Sequence, residues 1–235
     1  MVHFDPNDFE LVIPDLENED SVTRTFRRLD PERRLAVLDA LFEEAAEKGP
    51  GRLNIKEIAE RSGASIGSLY QYFGSRENIV RFMVKIAVRS MIELLRMCGP
   101  AYKGMPVRQA LRSYLIDGVR ICRSQKTLTK FLTLSAYQGD EEIGKTVVRP
   151  IATVMRETVR DLLKAGMDRG ELRQDIDLEA ASRAVNVLIV ALGDSQLTPN
   201  LNTYFQVSDK DVSFERTADA ALEMIFRGLA MEQKE

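Results

Sequence analysis

An all-α fold is predicted by three observations. Apolar residues recur at three- and four-residue intervals through nearly every long segment, capping residues and Gly or Pro breakers mark the segment ends, and no stretch reads convincingly as a strand. The pattern divides into an acidic N-terminal extension with a basic arm (residues 1–29), a small three-helix domain (30–77) and a larger helical domain (78–235) entered by a long helix.

Residues 1–20 mix acids with isolated apolar residues and carry Pro6 and Pro14, so an irregular tail is expected. Arg24, Arg27 and Arg28 follow at i, i+3 and i+4, sharing one face if residues 22–29 make a helical turn or two. Asp30 as N-cap and Pro31 at the first helical position open the next helix, whose stripe of Leu35, Leu38, Leu41, Phe42 and Ala45 ends at Gly49-Pro50-Gly51. Asn54 with Glu57 three residues on resembles a capping box and opens a short helix closed by Ser62-Gly63. Ser65 caps a second short helix over 66–72, ended by Gly74-Ser75. Two short helices separated by a Gly turn make a helix-turn-helix.

The long helix from Arg76 keeps apolar residues at Ile79, Phe82, Met83, Ile86 and Met91 and is expected to stop at Gly99-Pro100. Further helices are predicted over about 107–123, 126–137, 141–168, 178–193 and 211–230, with Gly139, Gly166, Gly170 and Thr198-Pro199-Asn200 as breakers and Asp177 as an N-cap.

Composition narrows the function classes. With 44% hydrophobic and 29% charged residues the chain reads as soluble and globular, and its apolar runs, such as 185–192, stop well short of the roughly 18–20 residues of a membrane span. Acidic first residues argue against a secretory signal, and Cys98 and Cys122 without paired spacing argue against a disulfide framework or zinc site. A reducing cytoplasm is the expected compartment. The single histidine is His3, and no phosphate loop, metal-ligand spacing or nucleophile motif is present. Neither an enzyme nor a cofactor is therefore expected.

The net charge of −3 hides an asymmetry. Residues 1–20 carry seven acids and no Lys or Arg, whereas residues 24–89 carry 13 basic and 9 acidic groups. That basic surplus coincides with the helix-turn-helix, as a nucleic-acid partner would require.

The helix-turn-helix segment resembles the DNA-binding signature of the TetR family of ligand-responsive transcription regulators, approximately T-x-x-x-I-A-x-x-A-G-V-S-x-G-x-L-Y-x-H-F-x-S-K-E. The matches are Ile58, Ala59, Gly63, Ser65, Gly67, Leu69, Tyr70, Phe73, Ser75 and Glu77. Asn54, Ser62, Ala64, Tyr72 and Arg76 depart from it, and of these only Tyr72, in place of His, alters contact chemistry. With the helix before it the motif spans about 50 residues.

The physical reading runs beside the resemblance. A major groove about 12 Å wide accepts one helix. Gly67 removes a side chain that would hold the helix off the groove, Ile66 can meet a thymine methyl, Ser68 and Gln71 can bond bases, and Tyr70 and Tyr72 can reach phosphates. The expected DNA-binding set is completed by Asn54, Ser65, Arg76 and the arm of Arg24, Arg27 and Arg28. Leu69 and Phe73 should anchor the opposite face on the first long helix.

The resemblance further implies a homodimer, a palindromic operator and release by a small-molecule effector, with repression the more common mode. Small and branched residues on the last two helices suit a two-fold interface, with Val185, Leu188, Ile189, Leu192, Ala221 and Ile225 as candidates. Candidate effector residues are Tyr114, Asp117, Arg120, Phe131, Tyr137 and Met155. The acidic extension reads either as solvated or as folded back through Phe9, Leu11 and Ile13, where it would weaken non-specific DNA binding. An all-helical adaptor without sequence-specific DNA binding stays open as the alternative.

Overall fold

Ile13 and Leu16 have no exposed surface, and their burial makes a helix of a segment whose sequence reads as irregular. The structure, a computed structural model, describes residues 12–137 and 141–229. Phe9, Leu11 and Gly139 lie outside the described residues. Among the described residues the regular elements are all helical.

The chain divides into two compact units. The first runs to Glu93 and resumes over Gln125–Ile151; the second is Leu94–Ser124 and the chain from Ala152 onward.

The first unit opens with α1 (Ile13–Asn18) and α2 (Arg24–Arg27). Pro14 near the start and Asp15 in the first turn suit α1 to a helix N-terminus. Next come α3 (Pro31–Lys48), α4 (Ile55–Ser62), α5 (Ile66–Phe73) and the first part of α6 (Arg76–Lys103). The expected caps are in place: Asp30 accepts the Arg33 amide, Asn54 the Lys56 amide and Ser65 the Ser68 amide. Gly63 ends α4 in the left-handed region at φ 68°, where a side chain would be strained. The unit also takes in α8 (Lys126–Tyr137). Phe131 of α8 meets Phe42 of α3 with ring centroids 5.8 Å apart, and the Thr127 hydroxyl lies 3.0 Å from the Asp39 carboxylate.

α6 does not stop at Gly99-Pro100. Pro100 removes one amide from the ladder, but Tyr102 is buried and donates to Asp117 at 3.2 Å, which holds the last turn in place. The segment 141–168 is helical as expected, built as α9 (Glu141–Ile143), a π turn (Gly144–Val148) and α10 (Arg149–Asp168).

In the second unit, α7 (Val107–Ser124) packs on α11 (Leu178–Leu197) and α13 (Phe214–Leu229). Gly166, expected to break a helix, instead lies inside α10: a Cβ there would stand 2.9 Å from Cβ of Val107, so this glycine permits close packing. The Thr198-Pro199-Asn200 breaker also starts an unforeseen helix, α12 (Pro199–Phe205), because Pro199 suits a first helical position. α13 begins at Phe214 rather than 211, since the Asp209 carboxylate accepts the amides of Asp211 and Val212 at 2.8 Å and holds them in a turn.

Candidate nucleic-acid interface

The eight residues of α5 divide into two faces. Leu69 and Phe73 are buried at 0% and 2% exposure, whereas Ile66 and Tyr70 stand 44% and 41% exposed beside the exposed Gly67 and Gln71. On the buried face, Phe73 meets aromatic residues of α2 and α6. The Phe73 ring lies 5.1 Å from Phe26 of α2 and 4.9 Å from Phe82 of α6, and Phe26 in turn lies 5.8 Å from Tyr72. These aromatic contacts make the extension part of the support for α5.

The polar residues are held in specific ways. Ser65 and Ser68 share a hydroxyl–hydroxyl hydrogen bond at 2.8 Å, and Ser65 accepts the Ser68 amide at 2.9 Å. Asn54 uses its side chain on the Lys56 amide at 3.1 Å. Arg76 turns toward the preceding loop and donates to the Leu53 carbonyl at 3.1 Å while remaining exposed. Tyr72 is partly buried by its aromatic neighbours. Gly67 has no need of its lost side chain within the chain: a Cβ would meet only Ser65 Oγ at 3.7 Å, an ordinary contact.

Among the three arginines of the arm, Arg27 is committed to Glu17. Arg24 and Arg28 are exposed and have no ion pair among the described residues. α1 thus brings acid onto the arm, while Glu19 bridges Lys85 at 2.9 Å and Arg89 at 2.7 Å on α6. Hydrogen bonds from these two cations hold the Glu19 carboxyl below its ordinary range.

A model of the bacterial regulatory proteins of the tetR family matches residues 37–82, from the middle of α3 through α5 into α6. Residues 37–82 carry the DNA-binding domain of the TetR family. The matched segment contains the helix-turn-helix of α4 and α5, and the family model describes bacterial regulatory proteins. The chain is 24% identical over 151 residues to the transcriptional repressor KstR2 of Rhodococcus jostii (strain RHA1), covering 64% of this chain and 73% of that one. A TetR-family regulator from Chloroflexus aurantiacus J-10-FL shares its fold with a TM-score of 0.61 at 21% identity, over 90% of this chain and 99% of the other. The regulator FadR of Bacillus subtilis, solved in complex with stearoyl-CoA, gives 0.61 at 19% identity, over 83% and 98% of the two chains.

The candidate effector residues fall in different units. Tyr114, Asp117, Arg120 and Met155 belong to the second, Phe131 and Tyr137 to the first. Asp117 accepts from both Tyr102 and Arg120. Tyr114 is buried with its hydroxyl unpartnered, and that burial pushes its pKa up. Phe131 is taken up by the stack on Phe42, and Tyr137 is half exposed.

The candidate dimer residues also separate. Val185, Ile189 and Leu192 are buried in the chain's own core, Ala221 and Ile225 are half-buried, and Leu188 is exposed. The uncovered apolar stripe lies one step around α11, at Ala184, Val187 and Leu188, and is matched on α13 by Met224; Val187 and Met224 are 64% and 75% exposed. Among the described residues no helix is long and apolar enough to cross a membrane.

The sequence reading missed Thr23 and Phe26, which brace α5, and Glu44, which braces α4. A large aromatic residue between arginines was the one available sign of Phe26. Nothing local marked Thr23 or Glu44.

Proposed function

We propose that the chain is a homodimeric repressor that docks α5 into the major groove of a palindromic operator and leaves it when a small-molecule effector binds. The observation that carries this reading is the outer face of α5. Ile66, Gly67, Tyr70 and Gln71 are exposed, and Gly67 lacks a side chain for no reason found within the fold. A face of that composition offers an apolar contact for a thymine methyl, an amide for a base edge and a hydroxyl for a phosphate. Ser65, Ser68, Asn54, Tyr72 and Arg76 flank it, and Arg24 and Arg28 extend the phosphate contacts.

Dimerisation is proposed through Ala184, Val187 and Leu188 of α11 with Met224 of α13, an exposed apolar stripe suited to a second copy. A two-fold dimer reads half-sites about 34–36 Å apart, so a small change in the separation of its two recognition helices abolishes simultaneous docking. Tyr114 supports an effector role for the second unit, because a buried hydroxyl without a partner is costly unless something bonds it. The stearoyl-CoA bound by FadR makes a long-chain acyl-CoA the first probe.

The test is selection of bound duplexes from a random pool by the purified protein at near-physiological salt, where backbone binding is suppressed. Enrichment of a palindrome bears the reading out; no enrichment, with or without acyl-CoA, overturns it.

A further inference from the structure

The recognition helix α5 has only eight residues, so its last carbonyls matter to its position. The Gly74 amide donates to Tyr70 and the Ser75 amide to Phe73. The two carbonyls between them, of Gln71 and Tyr72, are bonded from 48 and 49 residues upstream: the Thr23 hydroxyl donates to Gln71 at 2.9 Å and the Thr23 amide to Tyr72 at 2.8 Å.

Thr23 is itself held firmly. Its carbonyl accepts the Phe26 amide at 3.1 Å as α2 begins, and Phe26, with no exposed surface, packs on Tyr72, Phe73 and Phe82. On the other side Ser21 and Val22 are buried, and Ser21 shares Lys85 with Glu19 at 2.9 Å. The segment 12–28 is therefore a brace whose Thr23, between α1 and α2, bonds the final turn of α5.

We propose that Thr23 is a positioning residue for operator recognition: its hydroxyl sets the pose of Gln71, whose side chain the reading above directs to a base. The inference rests on that reading and adds to it a residue outside the helix-turn-helix. An extension joined to the recognition helix in this way favours operator binding, opposite in sign to a tail that merely repels phosphate. Thr23→Val keeps the shape and the amide but loses the hydroxyl donor; Thr23→Ser keeps it.

On the operator selected by the unmodified protein, Thr23→Val is expected to weaken binding roughly two- to tenfold, the range of one hydrogen bond, while affinity for random-sequence duplex is unchanged. Thr23→Ser is expected to restore operator affinity. A cycle with Gln71→Ala reads the mechanism: if Thr23 acts through Gln71, Thr23→Val costs no further affinity once Gln71 is Ala. Additive losses, equal losses in the Val and Ser variants, or an unchanged ratio of operator to random-duplex affinity overturn the proposal. Amide hydrogen exchange without DNA separates this failure from failure of the regulator reading. Faster exchange at Gly74 in Thr23→Val shows the brace even if no operator is found, and unchanged exchange there overturns it.

Discussion

Glu44, with no exposed surface, accepts the backbone amide of Asn54 at 2.9 Å and so fastens the cap of α4 to α3. Lys48 at 2.9 Å and Arg61 at 3.6 Å balance its charge. Glu44→Ala leaves a part-buried amide and two cations without their acceptor. Its expected cost is about 2–4 kcal/mol of unfolding free energy, with Glu44→Gln costing less because an acceptor remains. Urea unfolding checks both variants, and equal losses would place the effect in the charge rather than in the amide bond.

The two faces of α5 should respond oppositely to truncation. Gln71→Ala, on the exposed face, is expected to weaken operator binding by about 1–3 kcal/mol while changing unfolding free energy by less than about 0.5 kcal/mol. Leu69→Ala, on the buried face, is expected to cost about 2–5 kcal/mol of stability. Paired binding and thermal-melt measurements separate the two.

Arg24 and Arg28 are available to phosphates and Arg27 is held by Glu17. Replacing Arg24 or Arg28 by Ala should reduce the slope of log affinity against log salt by about 1, with no change in preferred sequence. Arg27→Ala should change it less. Fluorescence anisotropy titrations across a salt series provide the comparison.

Val187 and Ile189 stand two residues apart on α11, one exposed and one buried. Val187→Glu, like Met224→Glu, should leave helicity intact and shift the protein to monomer in sedimentation. Ile189→Glu should instead unfold it, because a buried unpaired carboxylate is strongly unfavourable. A Val187→Glu protein that still sediments as a dimer would move the interface elsewhere.

Glu19 carries a pH dependence whose sign follows from its cations. Its folded pKa is lowered by Lys85 and Arg89, so its stabilising effect is complete above the ordinary value near 4.5 and is lost as pH falls through the lowered folded value. Glu19→Gln should therefore melt below the unmodified protein at pH 7, and the two melting curves should converge as pH falls below about 4. A gap that persists in acid would assign Glu19 a role other than its charge.

What was legible in the sequence was local. The Asp30, Asn54, Ser65 and Asp177 caps, the αL glycine at Gly63 and the period of α3 through α8 act within about four residues, so the chain's own order displays them. The exposed face of α5 was legible for the same reason, since its period and its motif agree.

Other features depended on partners distant in the chain. Six residues with two prolines nearby carry too weak a period to announce α1; it forms because Ile13 and Leu16 find a buried place. α11 is apolar at Ala184, Val185, Val187, Leu188 and Ile189, nearly all around, so periodicity could not say which side faces the chain's own core. Helix type and the capped helix ends at Asp30, Asn54, Gly63, Ser65 and Asp177 were therefore determined by the sequence alone, through backbone hydrogen bonds satisfied by near neighbours. Which face is buried, and that Thr23 closes the recognition helix from 48 residues away, was decided by tertiary packing, because those bonds exist only once the segments meet.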